Sequence, residues 1–571
     1  MKNKISAILT GLVILLGASS CVDLDQAPLN ELSDASFWKN ESDYATAVNQ
    51  LYNTFPTAFS AQDDINTDNA VHGIKWAAGN LAQGVYDPAD FAWSYDNPSY
   101  PDSWSGYALI RAANVILDHL ANGGTETLGQ EATNRIEGQA RFFRAYIYFS
   151  LIKQFGDVPY TESPLTLSEL GDITRTDWRE VYNHAMQDAD MAISMLPAKW
   201  DASNNYRVTK GAAQMLKAEM ALYFANPECQ HYVESGYQTA AAAAKAVMDS
   251  GLYGLFDEGN TGIYEEMFWE HNVENSNEPI LINKSVAGQN GNYYIGFLAF
   301  PTLGWGGLNP CQSFVDCFET IDGAPIATSK IYDSRDPYRN RDPRLKAIVF
   351  EAGEVMYDKT IDPRPIGGDK NTTGLGNNRD ATATGYYTKK WINPAIYPLT
   401  DGWNMGQSFC VYRFTEALLI YAEAQNELSP LDATAFDAVN RVRARVGMPP
   451  LQKTDPSLPT FCATQYDLRT SIRNEWRIEF AFEGDHRQWD ARRWNIANTV
   501  FNQPRLGIQM QEVHGPGINP YDGSNTSYEL YVGDNIVVSP TLTYQPHNYV
   551  YPIPQDEIDL NKNLTQNPGY N

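Results

Sequence analysis

Residues 138–159 read GQARFFRAYIYFSLIKQFGDVP. At a helical period, Ala140, Phe143, Ile147 and Leu151 fall on one side of Gly138–Phe155, and Phe142, Tyr146 and Phe149 on another. A helix that is apolar almost all round has no face for solvent and belongs inside a stack of helices. Gly156-Asp157-Val158-Pro159 stops it. Outward from this segment, periodicity predicts helices at Trp178–Leu196, Thr209–Phe224 and Tyr237–Ser250. The last carries an alanine run, Ala240 to Ala244, and ends at Gly251. The pattern resumes at Arg413–Leu428, where Phe414, Ala417, Leu418, Tyr421 and Leu428 share a face. It continues through Ala433–Val446 and Leu468–Trp494. Paired helices of roughly 15 residues, with alanine at crossing positions, suggest tetratricopeptide-like hairpins, although no repeat of fixed period is visible.

From about 260 to 405 the chain is rich in Gly, Asn, Pro and aromatics without a long helical period, and from 500 onward it is again loop-like. The expected organisation is a helical scaffold over 37–260 and 406–500, a loop-rich lobe over 261–405, and a C-terminal segment over 501–571 packed on the scaffold. The first 20 residues read as a lipoprotein signal peptide. Lys2 and Lys4 open it, Ile5 to Leu16 is mostly apolar, and Gly17-Ala18-Ser19-Ser20 leads into Cys21. The apolar run is about half of what spans a bilayer. An ordinary secretory signal is the plainer alternative, but Cys21 stands where lipid attachment needs it, and several acyl chains hold a protein firmly to a membrane. Residues 21–36 read as an extended tether in which Pro28 disfavours helix; Ser33 or Asp34 can cap a short helix after it.

The 571 residues suffice for a large core and, by length alone, for about three or four domains. With 69 acidic against 42 basic residues the net charge is −27, and it is more negative still once the two leader lysines are gone. That balance argues against a nucleic-acid partner, which needs clustered Lys and Arg. Cys229, Cys311, Cys317, Cys410 and Cys462 are odd in number, so complete pairing is excluded. Cys311 and Cys317 are close enough for a local disulfide or are two buried thiols, and no CxxC spacing suggests zinc or redox chemistry.

The catalytic templates are largely empty: no HExxH, no GxSxG and no phosphate loop ending in Gly-Lys-Ser/Thr. The eight histidines show no metal-ligand spacing, and neither a cofactor nor a metal is expected. Glu475, Glu479 and Glu483 recur every four residues and raise the idea of paired carboxylates for glycoside hydrolysis. Arg473, Arg477, Arg487, Arg492 and Arg493 are near them in sequence, and Arg441, Arg443 and Arg445 lie on the preceding helix. Buried or partly buried ion pairing between helices accounts for the trio better. The glycine stretches Gly304-Trp305-Gly306-Gly307 and Gly374-Leu375-Gly376 are loop punctuation, because neither follows a strand and opens a helix.

Over nearly its whole length the chain resembles the RagB/SusD nutrient-uptake lipoproteins of Bacteroidetes. The resemblance starts with Cys21, Leu24-Asp25 and Pro28, then Phe37-Trp38, Leu51-Tyr52-Asn53 and Asp68-Asn69-Ala70. Tyr107 through Ile110 to Asn114, Arg141 to Tyr146 and Gly156-Asp157-Val158-Pro159 follow in order. Asp336-Pro337-Tyr338 and Arg341 to Leu345 come next, then Tyr421 to Ala424, Asn440 to Arg443 and Glu479 to Gly484. Tyr551-Pro552-Ile553-Pro554 and Gln566 to Tyr570 close the series. The resemblance implies a mostly α SusD-like fold with four tetratricopeptide-like helix hairpins and an irregular loop-rich lobe with short strands. It also implies a lipid-anchored place on the cell surface at the outer membrane. The partners implied are an oligosaccharide or polysaccharide, or in some branches a peptide, and a SusC-like TonB-dependent transporter over which the lipoprotein sits as a hinged lid.

Sugar recognition without catalysis needs flat aromatic faces for ring C–H groups and polar groups for hydroxyls. Two loops carry such residues. The span 69–104 contains Trp76, Asn80, Tyr86, Trp93 and Tyr95, and the span 290–308 contains Asn292, Tyr293, Tyr294, Phe297 and Trp305 flanked by glycines. The resemblance raises both, since SusD-like proteins take ligand aromatics from loops in comparable places; the candidate contacts are Trp76, Asn80, Trp93, Tyr95, Tyr293, Tyr294 and Trp305. Trp38, Trp178, Trp476, Trp489 and Trp494 fall on predicted helices and are expected in the core. Asp63, Asp64, Asp68 and Asp87 fit no EF-hand spacing and read as solvated turn residues. The leading expectation is a surface glycan-binding lipoprotein. Peptide cargo, a lipid-anchored hydrolase and a purely structural assembly protein are its rivals.

Overall fold

The structure is a computed structural model. It describes residues 37–73, 84–89, 103–256, 258, 262, 264–269, 272–289, 306–334, 336–352, 354–357, 359–361, 382–395, 406–514, 528–539 and 543–570. The cap expected at Ser33 or Asp34 lies outside these residues.

The first described helix, α1 (Glu41–Asn49), begins at a capping box between Asn40 and Asp43. It is followed by α2 (Gly106–His119) and α3 (Gln130–Phe155), the latter starting well before the Gly138 expected from its apolar face. Then come α4 (Trp178–Met195), α5 (Lys210–Tyr223) and α6 (Gly236–Met248). Asp177 and Thr209 cap α4 and α5 with side-chain hydrogen bonds, as a Ser/Thr/Asp before a helix should. After the lobe the helices resume with α7 (Phe414–Leu428), α8 (Ala433–Arg445), α9 (Gln465–Glu479) and α10 (His486–Arg493).

The helices pack in chain order, α2 on α3, α3 on α4, α4 on α5 and α5 on α6; α6 then meets α7, which carries α8 and α9. Among the described residues three consecutive pairs, α2/α3, α4/α5 and α6/α7, come from this packing, and α8/α9 makes a fourth through its common seat on α7 and the Arg443–Glu475 and Arg445–Glu479 ion pairs. The alanines of α6 let α5 and α7 approach its backbone closely: Ala240, Ala241, Ala243 and Ala244 are all buried. On α3, Phe142, Phe143, Ala145, Phe149 and Leu151 are buried on every side, as its sequence requires. Arg144 is the buried charge among them. Its guanidinium reaches Asp188 of α4 at 2.6 Å and the Asn114 amide oxygen of α2 at 2.8 Å, tying three helices together. Trp178, Trp476, Trp489 and Trp494 are core residues, and Trp38 is partly buried against the same core.

The C-terminal segment closes on α3. A helix end leaves carbonyls without partners, and here the Tyr551 N–H donates to the Gln154 carbonyl at 2.6 Å while the Asn567 amide donates to the Phe155 carbonyl at 2.9 Å. The motifs around Tyr551 and Asn567 are therefore a cap built from the far end of the chain.

The strands are few and mostly short. β1 (Ala70–His72) pairs antiparallel with β3 (Leu308–Pro310), and β2 (Pro279–Asn283) with β4 (Phe409–Arg413). The β2/β4 pair closes the base of the lobe between α6 and α7. The longest strands among the described residues, β5 (Arg505–His514) and β6 (Tyr528–Ser539), form a two-stranded sheet in the tail, where the sequence predicts loop. A second hydrophobic core, including Phe314, Phe318, Tyr386 and Trp391, fills the lobe and reaches Ile478 and Phe482.

The predicted helix over Leu468–Trp494 is two helices. α9 ends at Glu479, Phe482 and Gly484 adopt φ of 60° and 95°, and α10 starts at His486. The break is stabilised by distant donors and acceptors. The Lys390 ammonium donates to the freed carbonyls of Glu479 (3.0 Å) and Ala481 (2.8 Å), and the Trp391 indole donates to the Phe482 carbonyl at 2.7 Å. The Phe482 N–H goes to the Asp64 carboxylate at 2.7 Å. Pairing these groups removes much of the desolvation penalty that a buried break in a helix would carry.

Around this turn lies a fully buried ionic network. Glu479 accepts from Arg413 (3.0 Å), Arg344 (3.2 Å) and Arg445. Glu475 accepts from Arg344 (2.7 Å) and Arg443 (2.5 Å), and Glu483 from Arg413 (2.8 Å) and Lys390 (2.6 Å). Glu278, just before β2, holds Arg413 at 2.8 Å and Arg445 at 2.9 Å. Ion pairing of the glutamate trio with Arg443 and Arg445 was legible in the sequence, whereas Arg344, Lys390 and Arg413 come from the lobe and β4. The other neighbouring arginines serve elsewhere: Arg441 pairs with Glu258 at 3.0 Å, Arg477 and Arg487 with Asp68, and Arg493 with Glu423. Burial acts to raise the Glu479 carboxyl, but the charges of Arg445, Arg413, Arg344 and Lys390 outweigh it and hold the group well below the usual carboxylate range.

Removing one partner from such a network strands the others. Glu479→Ala is expected to destabilise the fold by ~3–5 kcal/mol in chemical denaturation. Because the folded-state pKa of Glu479 is depressed, its contribution is complete above the ordinary carboxylate pKa and fades as pH falls through and below it. The gap between wild type and Glu479→Ala should therefore narrow in strong acid; a gap independent of pH would contradict this account.

Candidate ligand-loop root

The two aromatic loops singled out by sequence start from one place. β1 leads into the first and the second leads into β3, and the strands pair as Ala70 with Pro310, Val71 with Asn309 and His72 with Leu308. One more bond, from the Gly73 N–H to the Gly307 carbonyl at 2.7 Å, extends the ladder to the lip of both loops. Only glycine fits at 73, since a Cβ there would sit 2.5 Å from the Asn309 amide oxygen and 2.9 Å from the Gly306 carbonyl.

Asn309 is the buried hinge of this arrangement. Its amide nitrogen donates to the Gly306 carbonyl at 2.9 Å, and its amide oxygen accepts from the Ala383 N–H at 2.9 Å. The segment 382–388 thereby joins the root: the Thr388 hydroxyl donates to the Leu308 carbonyl at 3.1 Å, and the Tyr386 hydroxyl donates to the Gln312 side chain at 2.7 Å. β5 completes it through the Ile508 N–H, which donates to the Thr384 carbonyl at 2.8 Å.

The root is bolted to the helical scaffold by charge. Asn69, one residue before β1, gives its backbone carbonyl to the Cys311 N–H at 2.7 Å and its amide oxygen to Arg477 of α9 at 2.8 Å. Asp68 takes Arg487 of α10 at 2.8 Å through each of its oxygens, and Arg477 at 3.0 Å. Burial acts to raise Asp68, but Arg477 and Arg487 overcome it and hold the carboxyl well below its usual range. Asp64 is different: burial dominates and pushes it up to about 7, against hydrogen bonds from the Phe482 N–H and the Asn69 amide.

Asp63 and Asp64 are thus buried and Asp68 is partly buried behind Arg477 and Arg487, not the solvated turn residues expected; Asp87 alone of the four is exposed and accepts from the Ala89 N–H at 2.9 Å. The expectation failed because a short acidic run reads as surface when its cationic partners lie some 400 residues away. No group of three or more His, Cys, Asp or Glu among the described residues is arranged to hold a metal. Cys311 and Cys317 are free thiols, so the local disulfide is not formed; burial pushes them up to about 12 and about 11. The Glu475, Glu479 and Glu483 carboxylates are consumed by ion pairs.

Trp76, Asn80, Trp93, Tyr95, Tyr293, Tyr294 and Trp305 lie outside the described residues, as does Cys21. Tyr86, from the first loop, packs its ring 6.0 Å from those of Tyr544 and Tyr551 and is a scaffold contact. Gly73, Asn309 and Thr384 were not singled out by sequence; the only signal available for them was the glycine density at the loop borders.

A family model described as the SusD family matches residues 266–570, and one described as starch-binding associating with outer membrane matches residues 24–222. The SusD-like protein P2 of Formosa agariphila is 26% identical, with 98% of this chain and 99% of that protein covered. The starch-binding protein SusD of Bacteroides thetaiotaomicron is 23% identical, with 100% and 99% covered. Among solved structures, a SusD-like protein from Bacteroides fragilis is 27% identical at a TM-score of 0.72, covering 95% of this chain and all of that one. A laminarin-binding SusD-like protein, 21% identical, shares the fold at a TM-score of 0.65 over 93% of this chain and 100% of its own.

Asp64 generates a test of the root. With its folded-state pKa raised, the native state holds this proton more tightly than the unfolded chain does. Its contribution is complete below the ordinary carboxylate pKa and declines as pH rises towards about 7. Asp64→Asn should flatten that part of the stability–pH curve; an unchanged slope between acid and neutral pH would show that Asp64 is ionised throughout.

Proposed function

The chain belongs to the SusD family, and from that premise we propose that it is a cell-surface lipoprotein of the outer membrane that captures oligosaccharides and delivers them to a SusC-like TonB-dependent transporter. The observation that carries the reading is the β1–β3 stitch, which starts two tryptophan-bearing loops, far apart in sequence, from one rigid root. Aromatic faces on loops suit the C–H surfaces of sugar rings, and a rigid root lowers the entropy lost when a ligand orders them. The names of the starch-binding and laminarin-binding relatives support a glycan as cargo.

In this reading Trp76, Trp93, Tyr95, Tyr293, Tyr294 and Trp305 stack on sugar rings, and Asn80 meets hydroxyls. Lipid on Cys21 holds the receptor beside the transporter it serves. No helix among the described residues is long and apolar enough to cross a membrane, so a lipid anchor is the simplest attachment the chain offers.

Affinity electrophoresis against a panel of polysaccharides tests the cargo. Retardation by at least one glycan is expected. Trp76→Ala or Trp305→Ala should abolish it, and Gly73→Ala should weaken it by roughly tenfold, ~1.4 kcal/mol of lost preorganisation, with the helical circular dichroism unchanged. Peptide binding with no glycan retained would replace the cargo assignment. For the anchor, Cys21→Ala should end incorporation of labelled fatty acid and move the protein out of the membrane fraction; continued labelling would sink the assignment.

A further inference from the structure

A cavity of about 150 Å³ lies among α3, α5, α7 and the α9–α10 turn, with no residue of β1 or β3 on its lining. At a water's liquid share of ~30 Å³ it has room for roughly five waters, hence for a small molecule or the amine-bearing end of one. Glu219 of α5 and Glu416 of α7 both line it. Glu416 is 2% exposed and, among the described residues, no cation lies within ion-pair distance of it. Glu219 sits at the rim, where it accepts from the Tyr412 hydroxyl at 2.8 Å and lies 4.0 Å from the Lys153 ammonium.

Of the other nearby cations, Arg413 is committed to Glu278, Glu479 and Glu483, and Arg493 to Glu423 and Asp490; Lys153, on the lining, serves Glu219 and the rings of Phe149 and Trp489 and leaves Glu416 without a cation. His486, also on the lining, is uncharged at neutral pH because burial pushes it down to about 3. The cavity thus has more carboxyl groups than cations to face them. Burial, then the charge of Glu219, raises Glu416 far above the usual carboxylate range, as expected of a group kept without a counter-ion.

Three further polar atoms on the lining residues lack a partner. The Ser60 hydroxyl, the Gln154 amide oxygen and the Trp476 indole N–H make no hydrogen bond, although their residues are 0%, 3% and 3% exposed. Buried polar groups are rarely left so. Two carboxyls and an amide oxygen call for a donor that carries positive charge. The indole N–H calls for an acceptor, which an ammonium lacks and a hydroxyl supplies. The rings of Tyr146, Tyr223 and Trp489 complete the wall and suit C–H groups or a cation.

We propose that this cavity is a second binding site, separate from the aromatic loops, for a small protonated amine that also carries hydroxyls, an amino sugar or an amino alcohol. The ammonium sits between Glu416 and Glu219, with the Gln154 amide oxygen as a further acceptor. A ligand hydroxyl accepts from Trp476.

Isothermal titration of the full mature chain with glucosamine, ethanolamine, N-acetylglucosamine and glucose tests this. Glucosamine is expected to bind and glucose and N-acetylglucosamine not to, because neither carries the charge; ethanolamine binding as tightly as glucosamine would assign the amino alcohol as source. Glu416→Gln should weaken glucosamine binding by roughly tenfold or more, and Trp476→Phe, which removes the N–H and keeps an aromatic ring, by several-fold. If Glu416→Gln does not fold, Glu219→Gln at the rim carries the charge test. Equal binding of glucose and glucosamine, no effect of the glutamine variants, or no binding by either amine, which leaves a cavity filled by water alone, would each overturn the proposal. A polysaccharide cannot enter so small a space, so retention on affinity gels reports the loops alone and the two readings fail separately.

Discussion

Arg413 is the last residue of the strand by which the chain returns from the lobe to the helical stack, and its buried guanidinium touches Glu278, Glu479 and Glu483. Those carboxylates come from the outgoing strand's edge, from the end of α9 and from the turn beyond it. One planar cation, with donors pointing in fixed directions, thereby sets where the lobe leaves, where it returns and where α9 stops. Arg344, Arg443, Arg445 and Lys390 extend the same pairing outward into the lobe and onto α8. Helix packing alone would leave the lobe hanging from two strand ends; the network makes scaffold and lobe one body.

The route from this network to the loops is short. Ending α9 at Glu479 frees the Phe482 N–H, which takes Asp64, and it aims Arg477 and Arg487 at Asn69 and Asp68. Asn69 precedes β1, β1 pairs with β3, and the loops run on from both. Each step is a directional bond between buried groups, where the low dielectric makes misplacement costly. A loop whose two roots are fixed this way has less freedom to lose when a ligand orders it.

How much of this was legible depends on how local the cause is. The all-round apolar surface of α3, the alanine run of α6 and the caps at Asp177 and Thr209 are local, and the helical stack follows from them. The two aromatic loops were visible as Gly-rich stretches with tryptophan. The break at 480–485 was not, because residues 468–494 keep a helical pattern and the groups that stabilise the turn, Asp64, Lys390 and Trp391, are distant in sequence. Nor could sequence select Arg344, Lys390 and Arg413 as partners of the glutamate trio while arginines stood nearer. The β1–β3 stitch joins residues more than 200 positions apart through three-residue strands, too short to carry an alternating pattern. The β5/β6 pair was lost among the glycine and asparagine of the tail.

Buried ion pairs can often be replaced by apolar residues of similar volume without loss, and sometimes with a gain. That exchange fails at this network, for a reason outside the charges themselves. Lys390 donates to two carbonyls as well as to Glu483, and Arg413 donates to the Glu479 carbonyl at 3.1 Å as well as to three carboxylates. These carbonyls are the ones a helix end exposes. A hydrocarbon core would neutralise the charges yet leave the carbonyls unpaired in an apolar medium, at roughly 1–3 kcal/mol each. The cations therefore serve two masters, the carboxylates and an irregular stretch of backbone. The turn that Phe482 and Gly484 form can persist only where such donors are present. Helix α9 ends where it does because the lobe supplies them, and the loop root is held where it is because α9 ends there.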